Sequence, residues 1–242
     1  MNLNPDNSQN EDLDDEFEQF VDEMLKEQEP NSLVSEDQMR EKLRSEVRDM
    51  LKFEKETEAV SHSMAILTTT GVELHGKNRV DEIMAELRQV GDKLVESADE
   101  IAKTPENTAE LVGITEPILI DILKVALDAY SHEQWESAES VYRFLTILNP
   151  ANAEMWMCLG STLQNQRKFE EARQNYVRAS ELDKVDPHYP LYIAECYLLE
   201  GDLQLSEQWE QVGRQRIDKN EVEEGVIEMF NDFSEARVLA AT

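Results

Sequence analysis

A period of 34 residues constrains this chain more than any other feature. Numbered from Leu119, it falls into three blocks, 119–152, 153–186 and 187–220, that align column by column. Val125, Leu159 and Ile193 share one column, and the next holds Ala126, Gly160 and Ala194. A later column holds Ala138, Ala172 and Ser206. An apolar column followed by small residues at two fixed places describes a unit of two closely approaching helices, stacked three times.

Within each block the apolar spacing predicts a pair of antiparallel helices. The first pair spans 117–130 and 135–148, where Asn149-Pro150 stops the second helix, because proline lacks an N–H and restricts the residue before it. The second pair spans 154–165 and 169–182, with a polar turn at Gln166-Arg167-Lys168 and Asp186-Pro187 closing the unit. The third spans 189–199 and 203–217, turning at Glu200-Gly201-Asp202. Period, helix pairing and small columns together form the tetratricopeptide signature. The fold class is therefore all-α: three such repeats in a right-handed superhelix. The small eighth and twentieth positions let paired helices approach, while Tyr142, Tyr176, Leu145 and Ala179 fill the joints between units. In the third unit Glu210 and Gly213 replace an aromatic residue and an alanine, as a terminal repeat does where it meets something different. Val226, Met229, Phe230 and Phe233 then recur at helical spacing within 221–242 and predict a capping helix.

The segment ahead of the repeats is acidic. The chain has 242 residues and a formal net charge of −30, and residues 1–118 hold 30 of its acids against 12 bases. Residues 1–16 offer almost nothing to bury and are expected to be disordered. Phe17, Phe20, Val21, Met24 and Leu25 form one apolar stripe on an acidic helix, which either packs within the protein or a homodimer, or serves as a docking motif that folds on a partner. After Pro30-Asn31-Ser32, helical spacing resumes from about Ser35 through Met39, Leu43, Val47, Met50 and Leu51, and again from Val80 to Leu94. Thr68-Thr69-Thr70-Gly71 reads as a break between them. The expected organisation is an acidic arm over 1–36, a helical extension over 37–107, the repeats over 108–220 and the cap over 221–242.

Several functions are disfavoured by these residues. Strong acidity argues against nucleic acid and anionic membranes, since neutralising phosphate takes Lys and Arg. No apolar stretch approaches the roughly 20 residues of a membrane span, and the N-terminus lacks a basic region followed by an apolar core, so no secretory signal is expected. Cys158 and Cys196 sit at apolar helix positions, suiting reduced thiols, with a disulfide as the rarer alternative. His62, His75, His132 and His188 are scattered outside any metal-binding motif. Asp128, His132 and Glu136 straddle a turn, where solvated side chains are the simpler reading. No phosphate loop or glycine-rich motif occurs. The expectation is a non-enzyme without cofactor or metal.

A ligand would lie along the inner face, which positions 2, 5, 9 and 12 of each first helix address. These are Ile120, Leu123, Leu127 and Tyr130; then Glu154, Met157, Ser161 and Gln164; then His188, Leu191, Glu195 and Leu198. One end is apolar and aromatic, suiting pockets for side chains of an extended peptide, unless N-terminal helices cover it. Repeat co-chaperones that grip a C-terminal carboxylate need Lys and Asn where this chain has Leu123 and Leu127, so that option lacks its charged donors.

The third repeat opens Pro187-His188-Tyr189-Pro190-Leu191-Tyr192-Ile193-Ala194-Glu195-Cys196, with Gly201 in the following turn. With Leu127, Tyr130, Trp135, Glu136, Ala138, Asn149-Pro150, Trp156, Gly160, Phe169 and Tyr176, this resembles the class II chaperones of bacterial type III secretion, over about residues 108–217. The resemblance implies a cytoplasmic bacterial chaperone that holds a hydrophobic translocator client in its groove before export, and often dimerises. It also implies that Leu123, Leu127, Tyr130, Trp135 and Tyr142 line that groove. Leu123 and Leu127 depart from the Tyr or Phe common there, and the long N-terminal segment is atypical of the family. The alternative function is a repeat adaptor or regulator that scaffolds a secretion machine.

Overall fold

The computed structural model describes residues 55, 57–101, 103–220 and 222–240. The Phe17–Leu25 stripe and the apolar positions from Met39 to Leu51 lie outside the described residues. The chain divides into two units, Met1–Thr57 and Glu58–Thr242, and the fold below is that of the second.

It is all helical among its described residues. α1 (58–68), α2 (Thr70–His75), α3 (Lys77–Leu87), α4 (Val90–Glu96), α5 (Ala98–Ile101) and α6 (Thr108–Leu111) precede the repeats. The repeats are α7 (Glu116–Ser131) with α8 (Trp135–Leu148), α9 (Ala153–Asn165) with α10 (Phe169–Leu182), and α11 (His188–Leu199) with α12 (Leu203–Lys219). α13 (Glu224–Ala240) closes the C-terminal end. The spacing-derived bounds of α8 and α10 match those observed, because an aromatic residue opens each helix and an Asn or Asp ends it. Pro117 sits in the first turn of α7, where its missing N–H costs nothing. The Asn152 side chain accepts from the amides of Glu154 and Met155, and Asp202 accepts from Leu205, giving α9 and α12 their N-caps.

The small columns do what their positions imply. A Cβ on Gly160 would stand 2.7 Å from the Tyr176 ring, so α9 and α10 meet at a distance only glycine permits. Tyr142, Leu145, Tyr176 and Ala179 are all buried between units. Burial also pushes the Tyr142 and Tyr176 hydroxyls well above the usual tyrosine range. Both cysteines are free; Cys196 is buried, whereas Cys158 is half-buried beside Tyr142. His132 caps α7, its Nδ1 2.9 Å from the Asp128 carbonyl oxygen.

Residues 58–114 are more tightly built in than their sequence suggests. Ile66, Leu67, Ile83, Leu87, Val90, Val112 and Ile114 join Ile118, Ile122 and Val125 of α7 in one core. Polar ties reinforce it. Ser63 donates to the Ser140 carbonyl at 2.9 Å, and Arg79 and Lys124 donate to the buried Asp121 carboxylate at 2.7 and 3.0 Å. Burial alone would raise the Asp121 pKa, but those two hydrogen bonds together with the surrounding positive charge outweigh it and hold the carboxylate below its ordinary value. The threonine break is real but short: Thr68 and Thr69 hydroxyls bond back to the Ala65 and Ile66 carbonyls, interrupting the helix for one residue.

The C-terminal cap explains the irregular third repeat. Phe230 packs against Gly213, where a Cβ would come within 2.5 Å of its ring. Glu210 is buried and receives Arg214 and Arg237 at 2.9 and 3.1 Å, together with the Ser234 hydroxyl. Phe230 and Phe233 complete a second core with Leu191 and Ala194. The two departures from the repeat pattern are thus the socket and the ionic anchor of α13.

Candidate peptide-binding groove

The first helices of the repeats bring most of the sequence-predicted positions into two linked clusters. In the first, Ile120 and Leu127 stand 45% and 49% exposed on α7, among its large apolar side chains. Leu123 and Tyr130 beside them are half-buried against the main core. Tyr130 packs edge-on against Trp135, with ring centroids 5.2 Å apart, and its hydroxyl lies 2.7 Å from Ser161 Oγ. Asn165 donates to the same hydroxyl at 3.1 Å. Three predicted residues therefore fasten α7, α8 and α9 together while keeping one edge accessible. The helices at 58–111 bury Ile118 and Ile122 but leave Ile120 and Leu127 uncovered.

The second cluster joins α9 to α11. Tyr176 donates to Gln164 Oε1 at 2.8 Å, and Gln164 Nε2 donates to Glu195 at 3.4 Å. Burial raises the Glu195 carboxyl above the ordinary range, only partly opposed by that Gln164 hydrogen bond. Burial likewise pushes the neighbouring Cys196 thiol up to about 12. Met157 is half-buried on the core and His188 stacks beside Tyr192 at 6.3 Å.

Two predicted positions fall elsewhere. Tyr142 is 1% exposed in the joint between units, and Leu191 is fully buried under α13. Their side chains pack the interior, because the neighbouring unit and the cap cover the faces on which they sit.

Sequence reasoning missed the contribution of α13. A pocket of about 570 Å³ lies between the ends of α9 and α11 and this helix, where Gln164, Glu195 and Leu198 meet Glu228, Met229, Asp232 and Phe233. The stripe Val226–Phe233 announced a cap, and Met229 is its signal of a second role. Phe230 and Phe233 are buried by capping, whereas Met229 remains 38% exposed.

Among the described residues, no three His, Cys, Asp or Glu side chains gather as a metal site, and no helix is long and apolar enough to cross a membrane.

Comparison with known proteins places this geometry. The tetratricopeptide-repeat family model matches residues 159–220. Low calcium response locus protein H of Yersinia pestis is 26% identical over 95 residues, which cover 39% of this chain and 56% of that protein. The chain thus spans about half the length of the curated relatives it matches. A type III secretion system complex from Aeromonas hydrophila superposes with a TM-score of 0.54 at 17% identity, covering 60% of this chain and 95% of that one. The Yersinia enterocolitica type III secretion translocator chaperone SycD superposes with a TM-score of 0.50 at 22% identity, covering 55% and 96%. Residues 159–220 thus match the tetratricopeptide-repeat family, and the repeat domain shares the all-helical repeat fold of the SycD translocator chaperone of Yersinia enterocolitica.

Proposed function

We propose that the protein is a cytoplasmic, ATP-independent secretion chaperone that holds an extended apolar segment of a translocator protein and keeps it soluble before export. The observation that carries this reading is the pair Ile120 and Leu127, about half exposed at positions the repeat turns inward. Large aliphatic side chains kept at a water-facing surface mark an interaction site. Leu123, Tyr130 and Trp135 extend that ledge, and Met157, Ser161, Gln164, Glu195 and Leu198 continue it toward α13. Each client side chain that loses its hydration there gains roughly 25 cal/mol per Å² of apolar area buried. The net charge of −30 supplies solubility to the complex. Nothing in such a mechanism breaks or forms a covalent bond, so the protein acts as a binding module.

Leu127→Asp tests this. Its side chain is half exposed, so the helical circular dichroism signal should be unchanged while co-purification with a co-expressed translocator is lost. Retention of the client by this variant overturns the groove assignment.

A further inference from the structure

We infer that the C-terminal end of the groove, between α11 and α13, is a subsite for a basic side chain, so that the bound segment is an apolar peptide carrying a Lys or Arg beside one of its anchors. This rests on the groove reading above and adds to it the chemistry of the client. Leu198, Met229 and Phe233 provide apolar wall, and Glu195, Glu228 and Asp232 place three carboxylates around the same pocket. Glu228 and Asp232 are one helical turn apart and share a face of α13, while Glu195 approaches from α11.

Charge complementarity identifies the occupant. Three buried or half-buried acids that link helices here are neutralised from within the chain, whereas in this pocket Glu195 is half-buried and Glu228 and Asp232 stand exposed at its rim. Asp121 has Arg79 and Lys124, Glu139 has Arg143 and Lys168, and Glu210 has Arg214 and Arg237. Among the described residues no Lys or Arg pairs with Glu195, Glu228 or Asp232, and none of the inward positions of the three repeats is Lys or Arg. A carboxylate cluster against an apolar wall matches the two halves of a Lys or Arg side chain, whose aliphatic stem covers apolar surface while its head stays polar. An aliphatic anchor alone would desolvate the carboxylates without replacing their water. The chain's own acidic arm, with 13 acids against Lys26 in residues 1–37, is excluded by the same complementarity.

The test uses the full chain and fluorescently labelled leucine-rich synthetic peptides in which one variable position, filled with Lys, norleucine or Glu, is walked along the sequence. Polarisation titrations at low salt should find a register where Lys binds about fivefold more tightly than norleucine, the size of one partly exposed ion pair. Glu should bind more weakly than either. The ratio of Lys to norleucine affinity should fall to about one in the combined Glu195→Gln, Glu228→Gln and Asp232→Asn variant and shrink at high salt. Equal binding of Lys and norleucine at every register, or a preference that survives the combined variant, overturns the subsite. In that case loss of all binding in Leu127→Asp shows that the groove reading stands without it. If Leu127→Asp binds the peptides as the unaltered chain does, or if the unaltered chain binds none, the groove reading fails and the subsite with it.

Discussion

Gly160 and Gly201 are both glycines in the repeats, yet they answer to different physics. At Gly160 the limit is space, because a methyl group would meet the Tyr176 ring at 2.7 Å with that ring fixed between two units. Gly160→Ala should therefore cost about 1–3 kcal/mol, the usual range for overpacking a core, measured by chemical denaturation. At Gly201 nothing lies within 4 Å and the limit is the backbone, whose φ is +84°. The equivalent turns carry Glu133 at φ 57° and Arg167 at φ 62°, so all three repeats bend through the left-handed region and only the third does so with glycine. Gly201→Ala should lose about 1 kcal/mol and Glu133→Gly should gain up to that amount, since a Cβ in this conformation costs roughly 1–2 kcal/mol. The thermal midpoints of the two variants should move in opposite directions. The turn at Gly201 was legible as a glycine in sequence, whereas the strain at Glu133 and Arg167 has no residue-type signal.

At the scale of elements, the paired helices and the cap behave differently toward pH. Burial works to raise the Glu210 pKa, but hydrogen bonds from Ser234 and Arg214 and the charge of Arg237 hold it below the ordinary carboxylate value. A folded-state pKa below the unfolded one, near 4.3 for Glu, means stability that is present above the unfolded value. It is lost as pH falls through the folded value. Docking of α13 should thus weaken in acid below about pH 4. Hydrogen exchange across 224–240 should accelerate there before exchange across α9 and α10 does. Glu210→Gln should reproduce that exchange pattern at neutral pH, at a cost of about 3 kcal/mol for leaving the arginines without their buried partner. The helix itself was readable from the spacing of Val226, Met229, Phe230 and Phe233. Its ionic anchor was not, because Glu210, Ser234 and Arg237 come together only once two helices are packed.

The described residues of the second unit, 58–240, form a short solenoid closed at both ends. α13 covers the last repeat, and residues 58–114 cover the first, taking Ile118, Ile122 and Val125 out of water. A chain beginning at Thr115 would expose those three side chains, each worth about 1.5–3 kcal/mol when buried. It should lose several kcal/mol of stability, with a lower thermal midpoint and a tendency to associate, both measurable by calorimetry and light scattering. The repeats and their helix boundaries were set by sequence alone, because each unit contacts only its neighbours and a 34-residue period records those contacts directly. The caps follow another rule. They are meetings of segments far apart in the chain, Ser63 with Ser140 or Phe230 with Gly213, and no period announces such a meeting. The same distinction separates the groove residues. Sequence register could assign Ile120 and Leu127 to the inward face, but only tertiary packing decided that Tyr142 and Leu191 are sealed inside. It alone set Glu228, Met229 and Asp232 beside Glu195, because burial depends on what covers a face and not on the face itself.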